Sequence, residues 1–312
     1  MIVDNNQHYQ TVCRALQNQI AVDFVRTSIK TGYFEILSAL SGQISNLVDS
    51  AFEKLVGSQA GSQNPEKLIE VTRALLEDTF HKEDDSFWFN QAYHQYKTVS
   101  KPEADFQLLK NLIEGQRLLD YGCGSGYLAA RLAKGGYQVY TTDVLDYRYP
   151  EAKGLPFVQM ASPVQAPYPD DSMDSALVQA VLHHIDPLDL DPVIQGIARM
   201  ARQVLVKEDS YDLPPHLEGL EEKTRQQPLL QAFIRLPLET QYLALVLIDF
   251  FANAIAQGIS EMNMPYAFHT VSQWEAILLR NGLKVSRVIL SGFETGRMHK
   301  SCHVWFICER SQ

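Results

Sequence analysis

The chain has 312 residues, 46% of them hydrophobic and 21% charged, a globular composition with room for one large domain or two small ones. Its formal charge of −10, with basic residues scattered rather than clustered, argues against a groove for DNA or RNA. The four cysteines, Cys13, Cys123, Cys302 and Cys308, show no CxxC spacing, so isolated reduced thiols are expected rather than a disulfide framework or a zinc site. The opening residues Met1 to Gln7 lack the basic-then-apolar order of a secretion signal, and the expected location is the cytoplasm.

Residues 1–105 show no strand alternation. Apolar positions recur at helical spacing through Val12, Leu16, Ile20, Phe24 and Ile29, and again through Leu68, Val71, Leu75 and Phe80. Between them lies a small-residue loop, Gly57 to Pro65, whose proline suits the first turn of the next helix. The run Phe87 to Tyr96 is dense in aromatic residues. Two readings stay open: a cap that closes a ligand pocket, or apolar glue between this helical region and the rest.

Leu118-Leu119-Asp120-Tyr121-Gly122-Cys123-Gly124-Ser125-Gly126 reads as an apolar strand ending in an acid, then a glycine-rich turn. Tyr127 stands where a dinucleotide fingerprint needs its third glycine, and no Lys-Ser/Thr pair follows to make a phosphate loop. Asp120 would repel a pyrophosphate and suits a ligand positively charged at that point. Tyr137 to Asp143 is a second strand ending in an acid, the place where a Rossmann-like sheet takes ribose hydroxyls. Pro167 to Asp174 forms a turn into the short buried strand Ser175 to Val178, and Gln179 to Ile185 leaves its carboxyl end.

In this order and spacing, the three segments resemble the class I S-adenosylmethionine-dependent methyltransferases of small-molecule type. The resemblance covers roughly residues 106–312 and is strongest from Leu118 to His184. It implies a Rossmann-like doubly wound α/β sheet of seven strands with an antiparallel C-terminal hairpin, and S-adenosyl-L-methionine as cofactor. By position, Asp120, Gly122, Cys123, Gly124, Asp143, Val144 and Gln179 are the expected cofactor-binding residues. Where the family usually carries an acid for the adenine amino group, this chain has Ser162 and Pro163, so a hydroxyl or backbone groups are expected to serve there. His183, first of the histidines in Leu182-His183-His184, is expected to act as general base, and Asp209 to orient it or to bind the substrate. His184 is expected to support the loop.

Beyond this segment, Leu190 to Ala201 has helical spacing and Gln203 to Lys207 reads as a strand ending in Glu208-Asp209. A helical insertion is expected over about 212–268, leaving an expected division into a helical region, 1–105, and a methyltransferase domain, 106–312. Within the insertion, Tyr242 to Gln257 is apolar nearly all round and too short and interrupted for a membrane span. Asp249, Asn253 and Gln257 form one polar stripe on it, facing a substrate cavity, a satisfied network or a second copy of the chain. Val271 to Asn281 reads as a helix closed by Gly282, and 283–290 and 302–309 alternate as strands, with the reversed strand expected at the sheet edge.

Substrate contacts are expected from Glu208, Asp249, Asn253 and His269. No metal site is assigned, and one formed by some combination of His183, Glu208, Asp209, Asp249, His269, His299 and His303 stays open as the weaker alternative; the HxxxH pair His299 and His303 enters a strand, where four residues span about 13 Å, too far for one ion. The expected acceptor is an oxygen or nitrogen nucleophile, less readily carbon, on a small, fairly hydrophobic specialised metabolite. A homodimer is the macromolecular partner left open, with no nucleic acid or membrane. A cyclisation or elimination on the same cofactor, or a non-enzymatic cofactor-binding scaffold, stay open as alternatives.

Overall fold

A computed structural model of the chain describes residues 6–61, 63–80, 88–258 and 262–311. Phe87, at the head of the aromatic run, and most of the opening segment read for a secretion signal lie outside the described residues.

The strands are β1 (Arg117–Tyr121), β2 (Gln138–Asp143), β3 (Phe157–Gln159), β4 (Met173–Gln179), β5 (Ala201–Tyr211), β6 (His269–Thr270), β7 (Leu283–Gly292) and β8 (His303–Arg310). The main sheet runs in the order β3-β2-β1-β4-β5-β8-β7, and the two-residue β6 pairs with the far end of β5. The strand order reverses between β1 and β4, so a crevice opens beyond the carboxyl ends of those two strands. The hairpin expected at the C-terminus is present, but its reversed strand is not at the edge. β8 lies antiparallel between β5 and β7. Its core, Val304 to Cys308, is a continuous buried apolar run, which suits a strand with a neighbour on each side.

One face of the sheet is covered by the helices Lys101–Leu109 and Tyr127–Lys134, which enclose Leu109, Leu118, Leu132, Leu177 and Trp305. The other face shares a single core with the N-terminal helices and the insertion. Phe52, for example, stacks on Phe251 with ring centroids 5.6 Å apart, and Tyr9 packs edge-on to Phe250. The 105/106 division falls inside the helix Lys101–Leu109, where Asp105 is fully buried, so it does not coincide with an element boundary.

Two local corrections follow from the packing. The apolar series from Val12 to Ile29 is two helices, Asn6–Gln17 and Gln19–Ile36, broken at Asn18, whose side chain caps the second by accepting from the Ala21 amide. The break shifts the helical phase, and Ile20 is left 56% exposed. The apolar insertion helix is longer than its sequence run suggested. Leu238–Ala256 is long and apolar enough to cross a membrane by length and composition, yet 78% of an 18-residue stretch of it is buried inside the protein.

Candidate active site

Beyond the carboxyl ends of β1, β4 and β5 lies a cavity of about 270 Å³. Its floor is the glycine turn. Gly122 has φ +71°, and a Cβ there would meet Val181 Cγ2 at 2.6 Å, so only glycine lets the turn pass beneath the β4 loop. Gly126, with φ +74°, precedes the helix Tyr127–Lys134. Asp120, Gly122, Cys123, Gly124 and Ser125 line the cavity from this side. Burial, reinforced by nearby Asp143, pushes the Asp120 carboxyl up to about 7.

The residues present suit the amino-acid half of S-adenosylmethionine. Asp120 supplies an acid for an ammonium group, while Lys101 and Arg297 on the same wall supply charge for a carboxylate. Among the buried polar atoms of cavity residues that have no hydrogen-bond partner among the described residues are Arg297 Nη1 and Gln179 Oε1. One is a donor and the other an acceptor, the pair a zwitterion needs. Arg297 is held by Asp105 at 2.5 Å and Glu294 at 3.2 Å, and Lys101 by Asp105 at 2.9 Å.

The expected nucleoside end is built differently. Asp143, Val144, Ser162 and Pro163 are not among the residues that line the cavity. Asp143 sits one layer behind, accepting from the Gly124 amide at 2.9 Å and the Leu145 amide at 3.1 Å. Each of those carboxylate oxygens has a second lone pair to offer. The Ser162 hydroxyl accepts from the Val164 amide, and the Pro163 carbonyl accepts from the Tyr121 hydroxyl. Tyr147, which was not anticipated, lies against Gly124 and lines the cavity in their place.

The opposite wall carries the histidines. Ala180 at the end of β4 takes φ +55°, and the chain then makes the short turn Leu182–His184 that brings His183 and His184 to the cavity. His183 does not pair with Asp209. β5 continues through both acids to Tyr211, and neighbouring residues on a strand point to opposite faces. Glu208 therefore turns away from the cavity and takes His183 Nδ1 at 2.5 Å, together with the Val181 and Leu182 amides. Asp209 turns towards the cavity, 3.3 Å from Nε2 of its cross-strand neighbour His303. Glu208 is thus a support for the loop rather than a substrate contact. His269 is also off the cavity: its ring packs edge-on to Trp274 at 4.7 Å.

Electrostatics separate the histidines. Burial alone would lower the His183 pKa, but Glu208 and Asp249 outweigh it and hold the imidazole well above its ordinary value. An imidazole whose proton is held more tightly by two flanking carboxylates is less ready to accept another group's proton, which counts against its expected role as base. His184 is lowered, by burial and by the neighbouring His183. Asp209 Oδ1 is buried without a hydrogen-bond partner among the described residues, leaving it as a free acceptor on the cavity.

The polar stripe of the insertion helix does face this space. Asn253 donates to Asp249 at 2.6 Å, Gln257 to Asn253 at 2.6 Å, and Lys97 to Gln257 at 3.1 Å, all four lining the cavity. Burial drops the Lys97 amine to about 7. Among the lining residues, Lys97, Lys101, Tyr147 and Arg297 escaped the sequence reading of the site, while His299 and His303 entered it only as possible metal ligands. The one signal for Arg297 was its place in the charged, glycine-containing connection between β7 and β8, the kind of loop that carries function.

Residues 119–204 match the protein family described as "Methyltransferase domain". This stretch holds β1, the glycine turn, β2, β4, the histidine turn and the start of β5. The matched stretch is a methyltransferase domain, and the strand order and the acid-flanked turn around it are those of a Rossmann-like S-adenosylmethionine-binding sheet. No curated protein sequence matches the chain. Solved structures similar to it include a Burkholderia thailandensis 1,6-didemethyltoxoflavin-N1-methyltransferase with bound 1,6-didemethyltoxoflavin and S-adenosylhomocysteine (15% identity, 72% of this chain and 86% of that one, TM-score 0.45). Others are a Methanosarcina mazei S-adenosylmethionine-dependent methyltransferase (17% identity, 65% and 97%, TM-score 0.45) and a Synechocystis magnesium protoporphyrin IX methyltransferase with bound S-adenosylmethionine (16%, 77% and 89%, TM-score 0.41).

Proposed function

We propose that the enzyme methylates an oxygen or nitrogen nucleophile on a small, fairly hydrophobic metabolite enclosed between the glycine turn and the insertion helix. The observation that carries this reading is a single cavity. It joins the Asp120 turn to Asp209, His303 and the Asp249–Asn253–Gln257 stripe, under a lid that includes Tyr93, Tyr96, Ile248, Ala252 and Met262. When bound, S-adenosylmethionine supplies an electrophilic methyl group on a sulfonium. The chain's own tasks are to hold the acceptor in line and to take its proton.

For proton transfer the geometry favours Asp209 over His183. Asp209 Oδ1 faces the cavity without a donor, and His303 beside it can share the proton that arrives. His303 is in turn oriented by Glu294, 3.0 Å from its Nδ1. His183, held between Glu208 and Asp249, shapes the wall. The apolar lid with a polar stripe suits an acceptor that has a hydrophobic body and few polar groups. Calorimetric titration with S-adenosylmethionine, followed by mass spectrometry of acceptor mixtures incubated with enzyme and cofactor, tests the reading. Cofactor affinity about tenfold weaker in Asp120→Asn, and methylated product lost in Asp209→Asn, are the expected results. Tight cofactor binding with no methylated product from any hydroxyl or amine acceptor would count against it.

A further inference from the structure

His183, His184 and Asp249 each bring one ligand-type atom to the lid side of the cavity, and these atoms all lie within 4.8 Å of one another. We infer that the three residues form a site for one divalent transition-metal ion, bound by the two imidazole Nε2 atoms and the Asp249 carboxylate. This goes beyond the methyl-transfer reading, which needs no metal.

The separations are near those of a real site. His183 Nε2 and His184 Nε2 lie 3.6 Å and 3.8 Å from Asp249 Oδ1. Ligands about 2.0–2.1 Å from a tetrahedral ion stand roughly 3.3–3.4 Å apart, so each histidine needs to approach Asp249 by only a few tenths of an ångström, with the two imidazoles, within 4.8 Å of each other, turning inward on the ion. The hydrogen bonds behind these ligands point the same way. His183 Nδ1 faces Glu208 Oε2 at 2.5 Å, and His184 Nδ1 faces the Asn263 carbonyl at 2.9 Å. When each Nδ1–H donates to its oxygen, both Nε2 lone pairs are left turned to Asp249, the arrangement by which a carboxylate or carbonyl orients a metal-binding histidine. Asn253 fixes Asp249 through Oδ1, while Asp249 Oδ2 is buried with no hydrogen-bond partner among the described residues.

Charge supports the same ion. Among the described residues neither Glu208 nor Asp249 is paired with a lysine or arginine, so a dication beside two neutral imidazoles would balance the two carboxylates. Two nitrogens and one carboxylate suit zinc, iron, cobalt or manganese rather than the oxygen-loving magnesium or calcium. Since all three residues line the cavity, the remaining coordination positions open onto it, where water or an acceptor oxygen can reach.

The test uses the full chain, stripped with chelator and titrated with Co(II) and then Zn(II). The expected result is one equivalent of Co(II), seen as visible ligand-field bands, displaced by Zn(II), with affinity at least tenfold weaker in His184→Ala and in Asp249→Asn. S-adenosylmethionine binding and thermal unfolding of each variant report whether it folds. If Asp249→Asn does not, His184→Ala decides alone, since its side chain is 14% exposed. No stoichiometric Co(II) binding by the wild-type chain, or equal binding by His184→Ala, overturns the inference and leaves a proton-holding ion pair. Because metal occupancy is the readout, that failure would leave the methyltransferase reading standing, and loss of methyl transfer alone would leave the metal site standing.

Discussion

The floor and the far wall of the cavity solve the problem of placing polar groups in different ways. On the floor, Asp120 and the glycine turn come from one short piece of chain, and backbone geometry does the positioning, with Gly122 and Gly126 in the left-handed region. On the wall, His183, Asp209, Asp249 and His303 come from four separate elements, and buried side chains position one another. A floor of that kind tolerates little change in backbone but needs few partners. The wall tolerates backbone change and depends on every charge having its neighbour, because an orphaned buried charge costs far more than a lost surface contact.

The contrast can be broken most forcefully at Glu208, which is fully buried and holds His183 and two backbone amides. Glu208→Ala should lower unfolding stability by about 3–5 kcal/mol in a urea titration, since it leaves two buried amides and His183 Nδ1 without their acceptor. On the floor, Gly122→Ala should cost about 1–3 kcal/mol in the same assay, through the positive φ and the Val181 contact. Its cofactor affinity should fall by more than tenfold.

Asp120→Asn should keep the fold and lose about tenfold in S-adenosylmethionine affinity, about 1.4 kcal/mol by calorimetry. The wild-type affinity should rise with pH up to about 7, as Asp120 ionises, and this rise should vanish in the variant. The same raised pKa acts on stability with opposite sign. The folded protein holds the Asp120 proton between the ordinary carboxylate range and about 7 while the unfolded chain does not, so this group's contribution to stability falls as pH rises through that window. The smallest effect is expected at Ser162→Ala, whose hydroxyl serves only its own turn. Cofactor affinity unchanged within about twofold would agree with that, and a tenfold loss would return the residue to the adenine site.

Much of the floor was legible because its signals are local. An acid, three glycines and a second acid about twenty residues on occupy the ends of adjacent strands in any sheet of this class, whatever packs above them. The aromatic and apolar insertion was recognisable as buried, and its stripe of Asp249, Asn253 and Gln257 follows from helical geometry alone. What remained hidden was pairing. That His183 meets Glu208 and not Asp209 depends on β5 running on through both acids, a continuation set by its cross-strand bonds to β8 rather than by its own residues. The phase break at Asn18 was equally invisible, since spacing cannot show where one helix ends and another begins in line.

By itself, then, the sequence determined the sheet, the glycine turn and the two acids that frame a charged, phosphate-free cofactor, because these rest on contacts within a few residues. Only the tertiary structure decided which of two adjacent acids serves the histidine, that β8 lies inside the sheet, and that His184 joins His183 and Asp249 around one point. Those outcomes depend on contacts between elements far apart in the chain, and no local pattern encodes the distance between them.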